Sequence, residues 1–96
     1  MKIPLSEFEL QIDETILKRG LSYFKNGFVT GFTEISNGTF EAIVLGTEDY
    51  TVHLEIKNNI IEEHNCNCPY DWGPICKHIV AVIFYMQRDI VNIQRV

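Results

Sequence analysis

Apolar residues along this chain change their period twice. Leu10, Ile12, Ile16, Leu17, Leu21 and Phe24 recur at helical spacing, Asp13 is of the type that caps a helix start, and Gly27 stands where helices commonly end. The pattern predicts a helix from about Asp13 to Asn26. Gly20 inside it costs about 1 kcal/mol relative to alanine, which implies either a very close neighbouring element or a locally weak helix. From Val29 the period becomes two: "VTGFTEI", "TFEAIVL", "YTVHLEI" and "IIEEHNC" read as four strands, separated by Ser36-Asn37-Gly38, by Gly46-Thr47-Glu48-Asp49 and by Asn58-Asn59. Connections this short predict an antiparallel meander. In the third strand Tyr50, Val52, Leu54 and Ile56 share one face and Thr51, His53, Glu55 and Lys57 the other, so one face is buried and one is wet. Beyond residue 75 the period returns to that of a helix, with Ile79, Val82, Ile83, Met86 and Ile90 as a stripe widened by Val80 and Phe84. A second helix is expected from about Ile75 to Asp89. The expected fold is α+β in a single domain, 1–96: an N-terminal helix, a four-stranded antiparallel meander, a loop and a C-terminal helix. No repeat, linker or low-complexity stretch interrupts it.

The loop between the last strand and the second helix, "CNCPYDWGPICKH", holds all three cysteines and one of the three histidines. Its spacing is Cys66-x-Cys68, seven intervening residues, then Cys76-x-His78. Zinc prefers four tetrahedral ligands, and thiolates with one imidazole suit a borderline-soft ion without redox chemistry of its own. In an extended strand Cys66 and Cys68 point the same way and both reach one metal. In a regular helix Cys76 and His78 would diverge, so Cys76 must sit at or just before the first turn, with His78 in it. Three thiolates on a divalent ion leave one negative charge, which the positive end of the helix dipole offsets, with Lys77 adding to the same compensation. Pro69 and Pro74 stiffen the connection and Gly73 permits its turn.

This pattern, CxCx7CxH followed by "CKHIVAVIF", resembles the SWIM zinc finger, found in bacterial proteins, in SWI/SNF-like helicase-type ATPases and in Mutator-type transposases. Upstream, "RGLSYFKNGFV" and "AIVLGTEDYTVHLEI" look like segments that precede the finger in bacterial members, so the resemblance extends over most of the chain. It implies that Cys66, Cys68, Cys76 and His78 ligate one zinc ion per chain. It further implies a strand-strand-helix zinc core that binds DNA or other proteins, usually as an accessory to a larger polypeptide. The chain shows no ATPase or transposase motif and no Gly-rich phosphate loop, so it reads as a stand-alone module or a piece of something longer.

Composition narrows the function. Eight Lys plus Arg against thirteen Asp plus Glu give a formal charge of −5, which works against loose attachment to nucleic acid or anionic lipid. The longest apolar run, Ile79 to Met86, has eight residues, against roughly 20 needed to span a bilayer. The start "MKIPLSEFELQIDE" lacks the basic and apolar character of a signal peptide, so a cytoplasmic location is expected, where thiols stay free or bind metal. The expected function is therefore a non-enzymatic, zinc-stabilised module acting through protein contacts, beside a helicase-like or transposase-like catalytic region. Nucleic-acid binding is the alternative, and a thiol redox enzyme a third. Rival readings stand beside each residue. The four candidate ligands could be unmetallated thiols with a surface histidine. A catalytic Cys76–His78 pair lacks an orienting third group. His64 reads as a solvated strand histidine or a substitute ligand, and His53 as exposed. Tyr70 and Trp72 either stack bases or cover the metal. Lys18, Arg19 and Lys25 form a weak basic cluster or a plain solvated face. The apolar breadth of the second helix marks either core contact or a partner surface.

Overall fold

The computed structural model describes residues 3–5, 7–46, 48–68 and 75–94, with side chains as far as Gln87. In chain order the elements are β1 (Ile3–Pro4), α1 (Phe8–Gln11), α2 (Glu14–Lys25), β2 (Val29–Ser36), β3 (Thr39–Leu45), β4 (Asp49–Lys57), β5 (Ile60–Cys66) and α3 (Lys77–Gln94). The fold class is α+β, as expected, and the four expected strands form. A fifth adds to them: the order is β1-β5-β4-β3-β2, antiparallel throughout. Strand β1 has only two residues, too few to show a period of two, and tertiary bonds hold it. The Leu5 amide donates to the Asn59 carbonyl at 2.9 Å, and the Gln87 side-chain amide of α3 donates to the Leu5 carbonyl at 2.6 Å.

Helix α2 begins as its cap residue dictates, with the Asp13 carboxylate accepting from the Thr15 and Ile16 amides at 3.0 and 3.3 Å. Leu10, counted above in its apolar stripe, instead lies in α1 and is 84% exposed. The extended backbone of Ile12 (φ −113°, ψ 141°) separates the two helices, so the stripe really starts at Ile16. Between β4 and β5, Asn58 and Asn59 both take positive φ (55° and 64°), the geometry of a two-residue hairpin turn that matches the strands' twist.

Helix α3 is the centre of the molecule. It packs on one face of the sheet and α2 packs on α3, so Ile79, Val80, Ala81, Val82 and Ile83 are all buried together. Its apolar breadth is therefore core contact, not a partner surface. On the sheet, Val44, Val52, Leu54 and Ile61 turn to this core. The outer face carries the cross-strand pair Glu41–His53, joined at 2.9 Å, with both side chains about half exposed. Gly20 decides how close the helices come. It is buried, and a Cβ there would run into the Val80 side chain and lie 3.0 Å from the Lys77 carbonyl oxygen. Of the two explanations offered for this glycine, close approach is the one the structure bears out. No helix among the described residues is long and apolar enough to cross a membrane.

Candidate metal centre

The end of β5 reaches the core through a shift in register. Near the hairpin Ile61 faces Ile56; between Glu55 and Ile56 the pairing slips, so that Leu54 faces His64 and Val52 faces Cys66. Directly opposed residues share a face of the sheet. With Ile61 inward, unbroken alternation would turn Glu63 and Asn65 inward, and the slip replaces them with His64 and Cys66. Pairing then continues past the strand: the Asn67 amide donates to the Thr51 carbonyl at 3.3 Å and the Thr51 amide to the Asn67 side-chain oxygen at 2.9 Å. This keeps the chain extended through Cys68, the condition for both sulfurs to point one way.

The other two donors come from the head of α3. The helix starts at Lys77, and the Val80 amide bonds to the Cys76 carbonyl at 3.2 Å, so Cys76 is its cap residue and His78 lies in its first turn. The sulfurs of Cys66, Cys68 and Cys76 and a ring nitrogen of His78 lie within 4.8 Å of one another. The spacing supports a metal on its own terms. Bonds of about 2.3 Å to sulfur and about 2.05 Å to nitrogen, at tetrahedral angles, imply sulfur–nitrogen edges of about 3.6 Å. His78 Nδ1 lies 3.7 Å from Cys66 Sγ and 3.8 Å from Cys76 Sγ. The donor set fits one zinc ion, with Nδ1 as the imidazole's inward atom.

His78 is held from both sides. The Tyr50 ring stacks on it with centroids 4.3 Å apart and planes at 27°, and Tyr23 of α2 meets it nearly at right angles at 5.4 Å. Its outward Nε2 is buried without a hydrogen-bond partner among the described residues. Without an ion, protons are shared unequally between the sulfurs. The hydrogen bond from Cys66 pushes the Cys76 thiol down to about 4, helped by His78 and by the Ile79 amide. The same bond, together with burial, pushes Cys66 up. Cys66 and Cys76 thus share a proton in the metal-free site, and that proton must leave when a metal binds.

Beside the cluster is a pocket of about 210 Å³, lined by Ile16, Arg19, Tyr50 and Lys77 along with Cys68, Cys76 and His78. Lys77 stands where the sequence put it, its ammonium 5.3 Å from the centre of the Tyr23 ring. Sequence reasoning missed Tyr50, Tyr23 and Ile16 as neighbours of the site. Tyr50 had a usable signal, since it shares a face with Val52, which opposes Cys66. Tyr23 had none. His64 is half-buried on the inner face and not solvated as expected, because the register slip turns it inward; burial lowers its pKa. It is not one of the gathered donors. His53 is half-exposed and bonded to Glu41. Tyr70 and Trp72, with Pro69, Gly73 and Pro74, lie outside the described residues.

Comparison with known proteins agrees with this geometry. The family model of the SWIM zinc finger matches residues 50–87, which begin at the stacking tyrosine, include all four donors and end in α3. An uncharacterized protein of Methanocaldococcus jannaschii is 31% identical over 74 residues, 77% of this chain and 30% of the relative. The chain thus spans under a third of that relative's length. No solved structure matches the chain. Strands β4 and β5, the metal loop and α3 are the strand-strand-helix core the resemblance implied, and the chain carries a SWIM zinc finger over residues 50–87.

Proposed function

We infer that the chain is a non-catalytic module in which one zinc ion, bound by Cys66, Cys68, Cys76 and His78, braces a surface for protein contacts, and that it serves a helicase-like, ATPase or transposase-like catalytic region. The supporting observation is the completeness of the donor set. Four donors lie within 4.8 Å of one another, the two sulfur–nitrogen distances from Cys66 and Cys76 to His78 close to a zinc tetrahedron's edge, and Cys76 and His78 are only 4% exposed. A catalytic zinc keeps one coordination position for water or substrate, whereas four protein donors close the site. A closed ion holds structure and does not turn over substrate. The Cys76–His78 pair has no orienting third group among the described residues, which argues against nucleophilic chemistry. A cytoplasmic location belongs to the same proposal, since free thiols persist there.

Two measurements test it. Native mass spectrometry of protein purified without chelator is expected to show one zinc per chain; an apo mass or oxidised thiols would remove the metal from the reading. Affinity purification from the native host, with Cys68→Ser as control, is expected to recover a polypeptide with ATPase or transposase motifs through the intact finger alone. Recovery of nucleic acid in place of protein would promote the DNA-binding alternative.

A further inference from the structure

The formal charge of −5 is the sum of two unlike surfaces. Strands β2 to β5 carry Glu34, Glu41, Asp49, Glu55, Glu62 and Glu63 against Lys57. Helix α2 carries Lys18, Arg19 and Lys25 against Glu14 and the cap residue Asp13, a small positive excess in which the exposed Lys18 and Glu14 pair at 3.1 Å. Lys77 at the head of α3 adds another cation. Lys18 and Lys25 share one side of α2, where they line an open concavity of about 360 Å³ with Leu21, Ser22 and Asn26. Arg19 lies further round the helix, in the pocket it shares with Lys77, Ile16 and Tyr50. The metal does not cancel these charges. Three thiolates and a neutral imidazole on a divalent ion leave one negative charge, against two positive ones from Arg19 and Lys77, and the amides at the start of α3 add to the positive side.

We propose that the face formed by α2 and the first turn of α3 docks an acidic peptide segment of a protein partner, one carboxylate entering the Arg19–Lys77 pocket and further acidic residues lying along Lys18 and Lys25. This rests on the protein-contact reading above and names the surface and the partner's chemistry. The guanidinium of Arg19 offers a planar fork that a carboxylate fills with two hydrogen bonds. Ile16 and Tyr50 give the pocket an apolar wall suited to the methylene stem of a glutamate. A short acidic segment ends where the patch ends. A nucleic-acid duplex does not: it carries one charge per about 1.7 Å and continues beyond the roughly 18 Å of α2 into the field of the acidic strands.

The test is fluorescence anisotropy on the zinc-loaded chain with a labelled Glu-Ala repeat peptide of about ten residues, long enough when extended to cover α2. Saturable binding is expected at 0.05 M salt, weakening at 0.15 M as screening tightens. Arg19→Glu and the double reversal Lys18→Glu with Lys25→Glu should each weaken it at least about tenfold, Arg19→Gln less, and Lys57→Glu, on a strand, not at all. Circular dichroism and zinc content of the variants, all at exposed positions, verify that they fold. Binding that Arg19→Glu and the double reversal leave intact overturns the proposal, as does no binding at 0.05 M salt. A labelled oligonucleotide of equal charge separates the two levels. If it binds where the peptide does not, the protein-contact reading falls too; if neither binds, only the acidic partner is refuted.

Discussion

Replacing Gly20 with alanine sets two effects of known size against each other. Alanine in a helix interior is favoured over glycine by about 1 kcal/mol, so a loosely packed α2 would gain stability. Here the added methyl has no room. It would overlap the Val80 side chain and press to 3.0 Å from the Lys77 carbonyl oxygen. Val80 is fully buried and β-branched, which leaves it one preferred rotamer in a helix, and the Lys77 carbonyl belongs to the backbone of α3. Neither yields easily, so α2 must move away from α3. Overpacking of this kind costs typically 1–3 kcal/mol. Allowing for the helix-propensity gain, Gly20→Ala is expected to destabilise the domain by up to about 2 kcal/mol, lowering its melting temperature by up to about 16 °C. The displacement should also reach the metal centre, because Tyr23, one turn further along α2, supports the His78 ring. Urea unfolding of the zinc-loaded protein gives the stability, and chelator competition gives the metal affinity. Val80→Ala would leave its Cβ in the way, whereas Val80→Gly removes every clashing side-chain atom, so a double-mutant cycle with Val80→Gly should show coupling of about 1 kcal/mol or more in the direction of rescue. A stabilised Gly20→Ala, or strictly additive single effects, would refute the close approach of the helices as the reason for this glycine.

Further outcomes follow from the site itself. Cys68→Ser removes one donor, and although structural zinc in small fingers contributes on the order of 10 kcal/mol, β2 to β4 and the body of α3 share a core that does not depend on it. Amide exchange is expected to accelerate around residues 64–68 and 75–80 with the sheet still protected, and uniform loss across the domain would contradict this. Zinc affinity should rise with pH, because the thiol proton that Cys66 and Cys76 share in the metal-free form must be released on binding. One proton released makes at least about a tenfold change per pH unit below the thiol's pKa, and a flat profile in chelator competition between pH 6 and 8 would exclude it. Tyr50→Leu keeps an apolar side chain but removes the ring on His78, a contact worth about 0.5–1.5 kcal/mol. It should weaken zinc by about two- to tenfold with little loss in the sheet, as read by zinc titration against amide exchange.

The metal ligands were legible because their geometry is largely local. An extended Cys-x-Cys and a Cys-x-His split across a helix start each place two donors within a few residues, and only the meeting of the two pairs needs the fold. Helix α3 and strands β2 to β5 were legible through their periods. What escaped has the opposite character. Strand β1 is two residues long and exists through Asn59 and Gln87, each distant in sequence. Tyr23 reaches His78 only because α2 lies against α3. The inward turn of His64 depends on a register slip at Glu55 that no alternation of "IIEEHNC" announces.

Charge teaches the same lesson most sharply. A total of −5 works against loose attachment to nucleic acid or anionic lipid, but a total has no position. Lys18, Arg19 and Lys25 occur close together in the chain and read there as a weak cluster or a solvated face, while Lys77 stands more than fifty residues away, beside the metal ligands. Packing α2 against the head of α3 brings Arg19 and Lys77 into one pocket, and six of the thirteen acidic residues lie on the strands. At about 8 Å of screening length in physiological salt, a ligand at that pocket responds to its near neighbours far more than to the net charge of the chain. In the docking proposed above, local charge therefore selects the partner at close range, and the surrounding negative field limits how far an anionic partner can extend.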